Sequence, residues 1–284
     1  MMFDMSNLPQ PSEAFDWVQA AAGPALICRP LASLASHIFT TRRWPLGSAT
    51  AGGDDPALWD DVARAVHVDP ARLVRVRQVH GADVVIAEDV PGRLPEADII
   101  LSGDHTIGLA VQAADCIPLL LADPSTGAVA GAHAGWRGLA AGVPAAAVAS
   151  LIRKFGGRPA GLVAAIGPAV GACCYEVGSD VRDRFEAAGA SRGQLARWFL
   201  TAPIRSAANP SMSSVSGTRR ADRWFFDGWT AAREQLVDAG VPVAQIFIAG
   251  LCTASHPDIL CSYRRDGSQA GRLAGAIRSR QLHP

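Results

Sequence analysis

The chain has 284 residues, 49% hydrophobic and 18% charged, and contains no apolar run near the roughly 18 residues that span a bilayer. Lysine plus arginine and aspartate plus glutamate each number 26, so the formal net charge is zero and no global field draws nucleic acid or an anionic membrane. The start, Met1-Met2-Phe3-Asp4-Met5, lacks a basic region followed by an apolar core, so it is not read as a secretory signal and a cytoplasmic protein is expected.

Phe15–Val18, Ala25–Cys28 and Phe39–Arg42 are short candidate strands. Ala57–Val66 has helical spacing, with Leu58, Val62 and Val66 on one face and Gly52-Gly53-Asp54-Asp55-Pro56 as a turn and acidic start. From Leu73 the pattern changes to apolar runs broken by turn residues: Leu73–Arg77, Asp83–Ile86, Ala97–Leu101, Ile107–Val111, Ile117–Leu121 and Ala128–Ala132. Such runs predict strands buried on both faces, and Asp123-Pro124-Ser125-Thr126-Gly127 predicts a hairpin turn between the last two.

Gly142–Phe155 is the clearest helix, with Pro144 suited to its first turn. Leu162–Pro168 reads as a buried strand, Ser179–Ala188 as a helix capped by Ser179, Gly228–Asp238 as a helix and Gln245–Gly250 as a strand. Residues 202–222 carry serines, prolines and paired arginines with almost no apolar period, which predicts a mobile surface loop or lid. Neither Gly-x-Gly-x-x-Gly nor a P-loop motif occurs, and there is no internal repeat. Strands interspersed with helices without a regular βαβ period predict one α+β or layered α/β domain over residues 1–284.

His80, Cys116 and His133 each sit where an element ends in small residues: Gln78-Val79-His80-Gly81, Ala114-Asp115-Cys116-Ile117-Pro118 and His133-Ala134-Gly135-Trp136-Arg137-Gly138. Two imidazoles and a thiolate make a three-ligand set for a borderline-soft metal, zinc first, with the fourth position open to water or substrate. Their separation in sequence implies that no single helix or loop builds the site. The same residues also serve a metal-free scheme. Cys116 would then be a nucleophile with His133 or His80 as base, oriented by Asp98 or Asp115. The six cysteines, at 28, 116, 173, 174, 252 and 261, form no CxxC pair and are expected to be thiols, with Cys173 and Cys174 as small buried residues.

Arg264, Arg265 and Arg272 lie close in sequence, and Arg137 lies four residues after His133; arginine forks suit phosphate or carboxylate recognition. Trp136 is a candidate pocket wall or stacking surface, and Glu176 in Tyr175-Glu176-Val177-Gly178 is a candidate acid. His67, His105, His256 and His283 have no evident partner and read as surface or loop residues.

The succession of Gln78-Val79-His80-Gly81, Ala114–Pro118, His133–Gly138, Ile166-Gly167-Pro168, Tyr175–Gly178, Cys252-Thr253 and Ser262-Tyr263-Arg264-Arg265-Asp266-Gly267 closely resembles the YfiH-like family. Its members are known as purine nucleoside phosphorylases, laccase-domain or polyphenol oxidase-like proteins and peptidoglycan editing factors. The resemblance implies an α+β fold, a single-domain layered α/β/β/α sandwich with mixed β-sheets. It further implies zinc on residues matching His80, Cys116 and His133, with copper as the alternative metal. The implied activity is phosphorolysis of adenosine, inosine and methylthioadenosine, with adenosine deamination beside it. A purine nucleoside and phosphate would then be the small-molecule partners, with Arg264, Arg265, Arg137 and Glu176 as binding candidates. A peptidoglycan-precursor hydrolase or a Cys116 amidase is the alternative. A polyphenol oxidase ranks lower, because one three-ligand cluster cannot hold several coppers, and a non-enzymatic zinc-binding partner protein is the other lower-ranked reading, suggested by the altered N-terminal third.

The N-terminal third departs from the family pattern. Phe39–Arg42 and Gly53–Pro56 remain, but Arg43–Thr50 replaces the usual Gly-Gly-Val-Ser and Ser-Leu-Asn-Leu segments. Gly228 stands where leucine is usual, Ala232 where asparagine is usual and Cys261 where phenylalanine is usual. Substrate specificity is therefore expected to be open to change around a retained metal site.

Overall fold

The structure, a computed structural model, describes residues 5–47, 56–89, 93–212 and 220–280. In chain order it runs β1 (Phe15–Ala20), β2 (Gly23–Cys28), α1 (Arg29–Ala32), β3 (Ala35–Phe39), α2 (Asp60–Ala65), β4 (Leu73–Val74), β5 (Val84–Ile86), β6 (Ile99–Ser102), β7 (Gly108–Ala113), β8 (Ile117–Ala122) and β9 (Val129–Ala134). There follow α3 (Trp136–Ala140), α4 (Val143–Phe155), β10 (Val163–Ile166), β11 (Glu176–Gly178), α5 (Ser179–Ala187), α6 (Arg192–Trp198), β12 (Phe199–Leu200) and β13 (Arg223–Phe226). The chain closes with α7 (Gly228–Asp238), β14 (Ile246–Ile248), α8 (Tyr263–Asp266) and β15 (Leu273–Ser279).

Two six-stranded mixed sheets form the centre, ordered β1-β2-β3-β15-β7-β4 and β14-β10-β8-β9-β6-β5, with β11-β13-β12 as a smaller third sheet. Strand alternation divides the apolar residues among layers. Leu120 of β8, Leu109 and Val111 of β7 and Phe39 of β3 meet between the large sheets. Leu119 and Leu121 point the other way, under Val148 and Leu151 of α4 and Leu236 of α7. Ala110, Ala274 and Ala276 face outward from the first sheet against Trp59, Val62 and Val66. Helix, sheet, sheet and helix therefore stack as expected. Each fully buried leucine of β8 contributes roughly 1.5–3 kcal/mol.

Several sequence readings shift. Leu73–Arg77 is a strand only at Leu73–Val74, with Arg77 joined to Glu96 by one isolated bridge. The third strand ends at Phe39 rather than running to Arg42; Thr40 Oγ1 instead accepts from the Ala274 N–H and Thr41 Oγ1 donates to the Pro24 carbonyl. β5 is an edge strand, and its Ile86 is 39% exposed, not buried on both faces. Ser179 is the first helical residue of α5, not its cap. Gly178 caps it because the chain leaves β11 there, still paired with Arg223.

β15, in the middle of the first sheet, has no counterpart among the strands the sequence pattern predicts. Its Ala274-Gly275-Ala276 centre is made of small residues with weak strand propensity. Smallness is required, because a Cβ on Gly275 would lie 2.9 Å from Pro118 Cβ of the facing sheet.

The Gly52–Pro56 helix start, His283 and the middle of the 202–222 loop fall wholly or largely outside the described residues. Of the divergent Arg43–Thr50 segment, Trp44 and Leu46 are buried in the outer apolar layer, and residues 43–47 do not line the pocket described below. Among the described residues no helix is long and apolar enough to cross a membrane.

Candidate active site

β8 and β9 pair antiparallel with Ile117 opposite Ala134 and Pro118 opposite His133. The turn between them closes as read: Asp123 Oδ1 accepts the Ser125 N–H at 2.8 Å, and Gly127 takes φ +73°. Cys116, immediately before β8, therefore lies at the same end of the pair as His133. One hairpin thus supplies two of the three candidate ligands, and a separate loop supplies the third, so no single helix or loop builds the site.

His80 comes from the loop after β4, at φ +61°, and Asp115 precedes Cys116 at φ +88°. Both are non-glycine residues in the left-handed region, where strain tends to gather at functional sites. Cys116 Sγ lies 3.9 Å from His80 Nε2, and the imidazoles of His80 and His133 meet edge to face with centroids 4.8 Å apart. Ligand atoms of all three residues lie within 4.8 Å of one another. Tetrahedral zinc bound by nitrogen and sulfur separates such donors by roughly 3.5 Å, so this donor set fits a borderline-soft ion after small side-chain adjustments.

Asp98 organises the cluster. Wholly buried, it accepts the backbone N–H groups of Val79 at 3.2 Å, His80 at 3.0 Å and Gly81 at 2.7 Å. Its Oδ1 also takes His133 Nδ1 at 2.8 Å, which leaves Nε2 of that ring for the cluster. Burial opposes its ionisation, but the bond from His133 and those from the backbone outweigh it and hold the carboxyl below its ordinary value.

Gly135 is the steric counterpart: a Cβ there would lie 2.7 Å from Cys116 Sγ and 3.1 Å from His80 Cδ2. Burial also resists ionisation of Cys116, yet the His133 charge and hydrogen bonds from both histidines bring the thiol down to about 6. For His133, burial disfavours the cation, while the Cys116 thiolate and Asp98 favour it more strongly and raise the ring to about 9. Without metal the pair is a thiolate–imidazolium pair at neutral pH.

The cluster opens into a cavity of about 560 Å³. Arg137 lies over the Trp136 ring with its Cζ 4.3 Å from the centroid, and Arg264 lies over the Tyr175 ring at 5.0 Å. Arg272 lines the same cavity. Burial, followed by the nearby Cys116 charge, raises the Tyr175 hydroxyl well above its usual range, so the ring remains neutral. Gln78 and the Gln112 backbone exchange two hydrogen bonds, of 2.6 and 2.9 Å, which fix the wall next to His80.

Other residues read from the sequence lie elsewhere. Arg265 does not line the cavity. Its guanidinium donates to the Thr253 and Leu260 carbonyls, at 2.9 Å each, and pairs with Asp266 at 2.7 Å, tying the 253–266 loop together. Glu176 lies outside the lining and pairs with Arg220. Asp115, the other proposed orienter, binds Thr253 Oγ1 and the Arg264 backbone N–H at 2.5 Å each, not a histidine. It shapes the loop that carries Arg264. In the sequence Tyr175 and Gln78 stand out only as parts of motifs. Tyr175 could have been singled out from its place beside Glu176, because the two neighbours point opposite ways. Gln78 carries no such signal, as its lock is made to backbone.

Comparison with known proteins shows the family. The family model described as multi-copper polyphenol oxidoreductase laccase matches residues 56–280. A Streptomyces griseus protein named purine nucleoside phosphorylase ORF3 is 36% identical over 258 residues, covering 85% of this chain and 94% of that one. Purine nucleoside phosphorylase YfiH of Escherichia coli K12 is 34% identical, over 73% of this chain and 74% of its own. The crystal structure of YlmD from Geobacillus stearothermophilus superposes with a TM-score of 0.72 at 30% identity, covering 93% of this chain and 99% of that one. Matched by the family model over most of its length and similar throughout to such relatives, the chain belongs to the YfiH-like, laccase-domain family.

Proposed function

We propose that this protein is a zinc-dependent purine nucleoside phosphorylase, acting on adenosine, inosine and methylthioadenosine. The observation that carries the reading is one cavity holding a nitrogen–sulfur–nitrogen cluster, arginines and aromatic rings together. The names of the relatives support the same substrate class. His80 Nε2, Cys116 Sγ and His133 Nε2 would hold the ion, with copper as the alternative occupant. Bound zinc supplies Lewis acidity and an acidified water, the latter also serving adenosine deamination.

The chain's own residues account for binding. Trp136 and Tyr175 line the cavity with a guanidinium over one face of each ring, and their remaining aromatic surface would meet a planar base. Arg264, Arg137 and Arg272 offer forks to phosphate, whose oxygen bonds to the anomeric carbon as the bond to the base nitrogen breaks. Asp98 keeps His133 in one tautomer and orientation throughout.

The test is to incubate purified protein with adenosine, with and without phosphate. Adenine and a sugar phosphate formed only with phosphate support the reading; inosine without phosphate assigns a deaminase. No nucleoside turnover by zinc-loaded protein overturns it.

The chain Cys116–His133–Asp98 also favours a second reading, a thiol hydrolase acting on an amide, because thiol, imidazole and buried carboxylate stand in the order a nucleophile needs. Activity abolished by alkylation of Cys116 and indifferent to chelators would select it.

A further inference from the structure

We propose that Cys173, Cys174 and Cys252 form a second metal site, a three-thiolate centre for a thiophilic d10 cation, either monovalent copper or zinc. All six cysteines are free thiols, and Cys173 and Cys174, read from the sequence as small buried residues, converge with Cys252, the three sulfurs within 4.8 Å of one another. Three sulfurs bound at about 2.3 Å to one ion lie roughly 4 Å apart, so little movement is needed. Adjacent cysteines ordinarily point apart. Here the chain turns at Gly171, whose carbonyl accepts the Cys174 and Tyr175 N–H groups at 2.9 and 3.0 Å, and both thiols face Cys252. Cys252 is held opposite by its bridge to Ala169.

Two backbone donors reach the sulfurs, while the Pro210 carbonyl, 3.8 Å from Cys174 Sγ, accepts from the protonated thiol when no ion is bound. The Gly171 N–H donates to Cys252 Sγ and the Met212 N–H to Cys174 Sγ, both at 3.3 Å. Backbone donors to ligand sulfur are the outer-shell contacts that hold a thiolate in place and offset its charge. Ser255 Oγ lies 3.5 Å from Cys173 Sγ and 3.6 Å from Cys174 Sγ, within reach as a fourth, oxygen ligand. Soft thiolates select monovalent copper or zinc over harder ions. Three-sulfur coordination alone suits copper, and added oxygen completes the tetrahedron of zinc. Binding releases the thiol protons to solvent.

The site has a structural consequence for the first. Ser211 Oγ donates to the Cys173 carbonyl at 2.6 Å, and Asn209 Oδ1 accepts the Cys252 N–H at 2.7 Å. An ion on the three sulfurs would fasten the start of the 202–222 loop to the segment carrying Tyr175 and to Thr253, which binds Asp115 beside Cys116.

The experiment uses the full chain carrying Cys116→Ala, so that the first cluster has lost its thiolate. The reduced, metal-free protein is titrated anaerobically with monovalent copper against a chromophoric chelator, and separately with zinc. The expected result is one tightly held ion per chain, with three sulfur scatterers by X-ray absorption. A shell of sulfur alone assigns copper, and three sulfurs plus one oxygen assign zinc. Adding Cys174→Ala, or Cys252→Ser if that chain fails to fold, should weaken binding by about tenfold or more. An ion held through nitrogen and oxygen only, no binding in either arm, or equal affinity after the second substitution would overturn the proposal.

Discussion

Replacing Asp98 by asparagine tests the central claim about the site, that one buried carboxylate both shapes the His80 loop and aims His133. Oδ1 takes His80 N and His133 Nδ1, and Oδ2 takes the N–H groups of Val79 and Gly81. Asparagine keeps one oxygen, so whichever position becomes the amide nitrogen loses two bonds. A hydrogen bond to a charged group contributes about 1.5–3 kcal/mol, which puts the loss at roughly 3–6 kcal/mol. Breaking a buried charged contact typically costs about 3–5 kcal/mol, and the lower part of that overlap is expected here. In a chain of this size that lowers the melting temperature by about 10 °C.

Metal affinity should fall by about 10- to 100-fold, as it does when the partner of a ligating histidine is removed. The stabilisation also has a sign in pH. Because the folded carboxyl is held below its unfolded value, its contribution is complete above about pH 4 and is lost as acid carries the protein through the lower folded value. The assays are thermal unfolding of metal-free protein and zinc competition with a chromophoric chelator. A variant that melts within about 2 °C of the parent and binds zinc within about twofold would refute the account. If it melts early but binds normally, Asp98 anchors the 79–81 loop and leaves His133 unaided.

Gly135→Ala should leave the fold intact, since Gly135 has an ordinary φ of −73°, while the new Cβ displaces Cys116 and His80; zinc per chain is the readout and is expected to drop. Arg264→Ala should raise KM for phosphate with little change in melting. Arg265→Ala should instead lower stability by about 2–4 kcal/mol, because it removes charged donors from the Thr253 and Leu260 carbonyls. Phosphate kinetics and melting curves on both variants separate the two roles. In metal-free protein, iodoacetamide should alkylate Cys116 at a rate that rises through pH 6 and is near its plateau by pH 7, where an ordinary thiol of pKa about 8.5 is only a few per cent ionised. A rate still climbing above pH 8 would contradict the thiolate–imidazolium pair.

The legible parts of the fold are those where local pattern and burial agree. Helices α4 and α7 lie where periodicity puts them, because Pro144 and Gly156 bound one and Asp227 caps the other by accepting the Thr230 N–H. The runs at β6 to β10 read as buried strands because both faces are covered by apolar layers. β15 is illegible for a tertiary reason: Gly275 is set by the approach of the facing sheet, and Ala274 and Ala276 by the outer layer of Trp59, Val62 and Val66, pressures absent from any local window. Arg265 and Glu176 show the same limit in the site. An arginine pair declares charge, but only the course of the 253–266 loop decides that one guanidinium faces carbonyls while its neighbour lies over Tyr175.

The spacing from Cys116 to His133 encodes a hairpin pairing. The Ile117–Leu121 and Ala128–Ala132 runs and the Asp123–Gly127 turn mark a hairpin, although β9 runs on to Ala134, and a hairpin with that turn fixes which residues lie opposite one another. Ile117 opposite Ala134 continues to Cys116 opposite Gly135, and the 2.7 Å between a Gly135 Cβ and Cys116 Sγ is the steric mark of that pairing. Because side chains alternate between faces, a slip of one residue in β9 would turn His133 away from Cys116 and bring Ala132 or Ala134 toward it. The turn is thus as much a determinant of the site as the ligands. Lengthening it by one residue, with a glycine inserted after Ser125, should abolish zinc binding if the slip propagates along β9. Unchanged zinc binding, with His133 still required, would mean that Asp98, through its bond to His133 Nδ1 and its carbonyl bond to the His133 N–H, holds the register more firmly than the turn does.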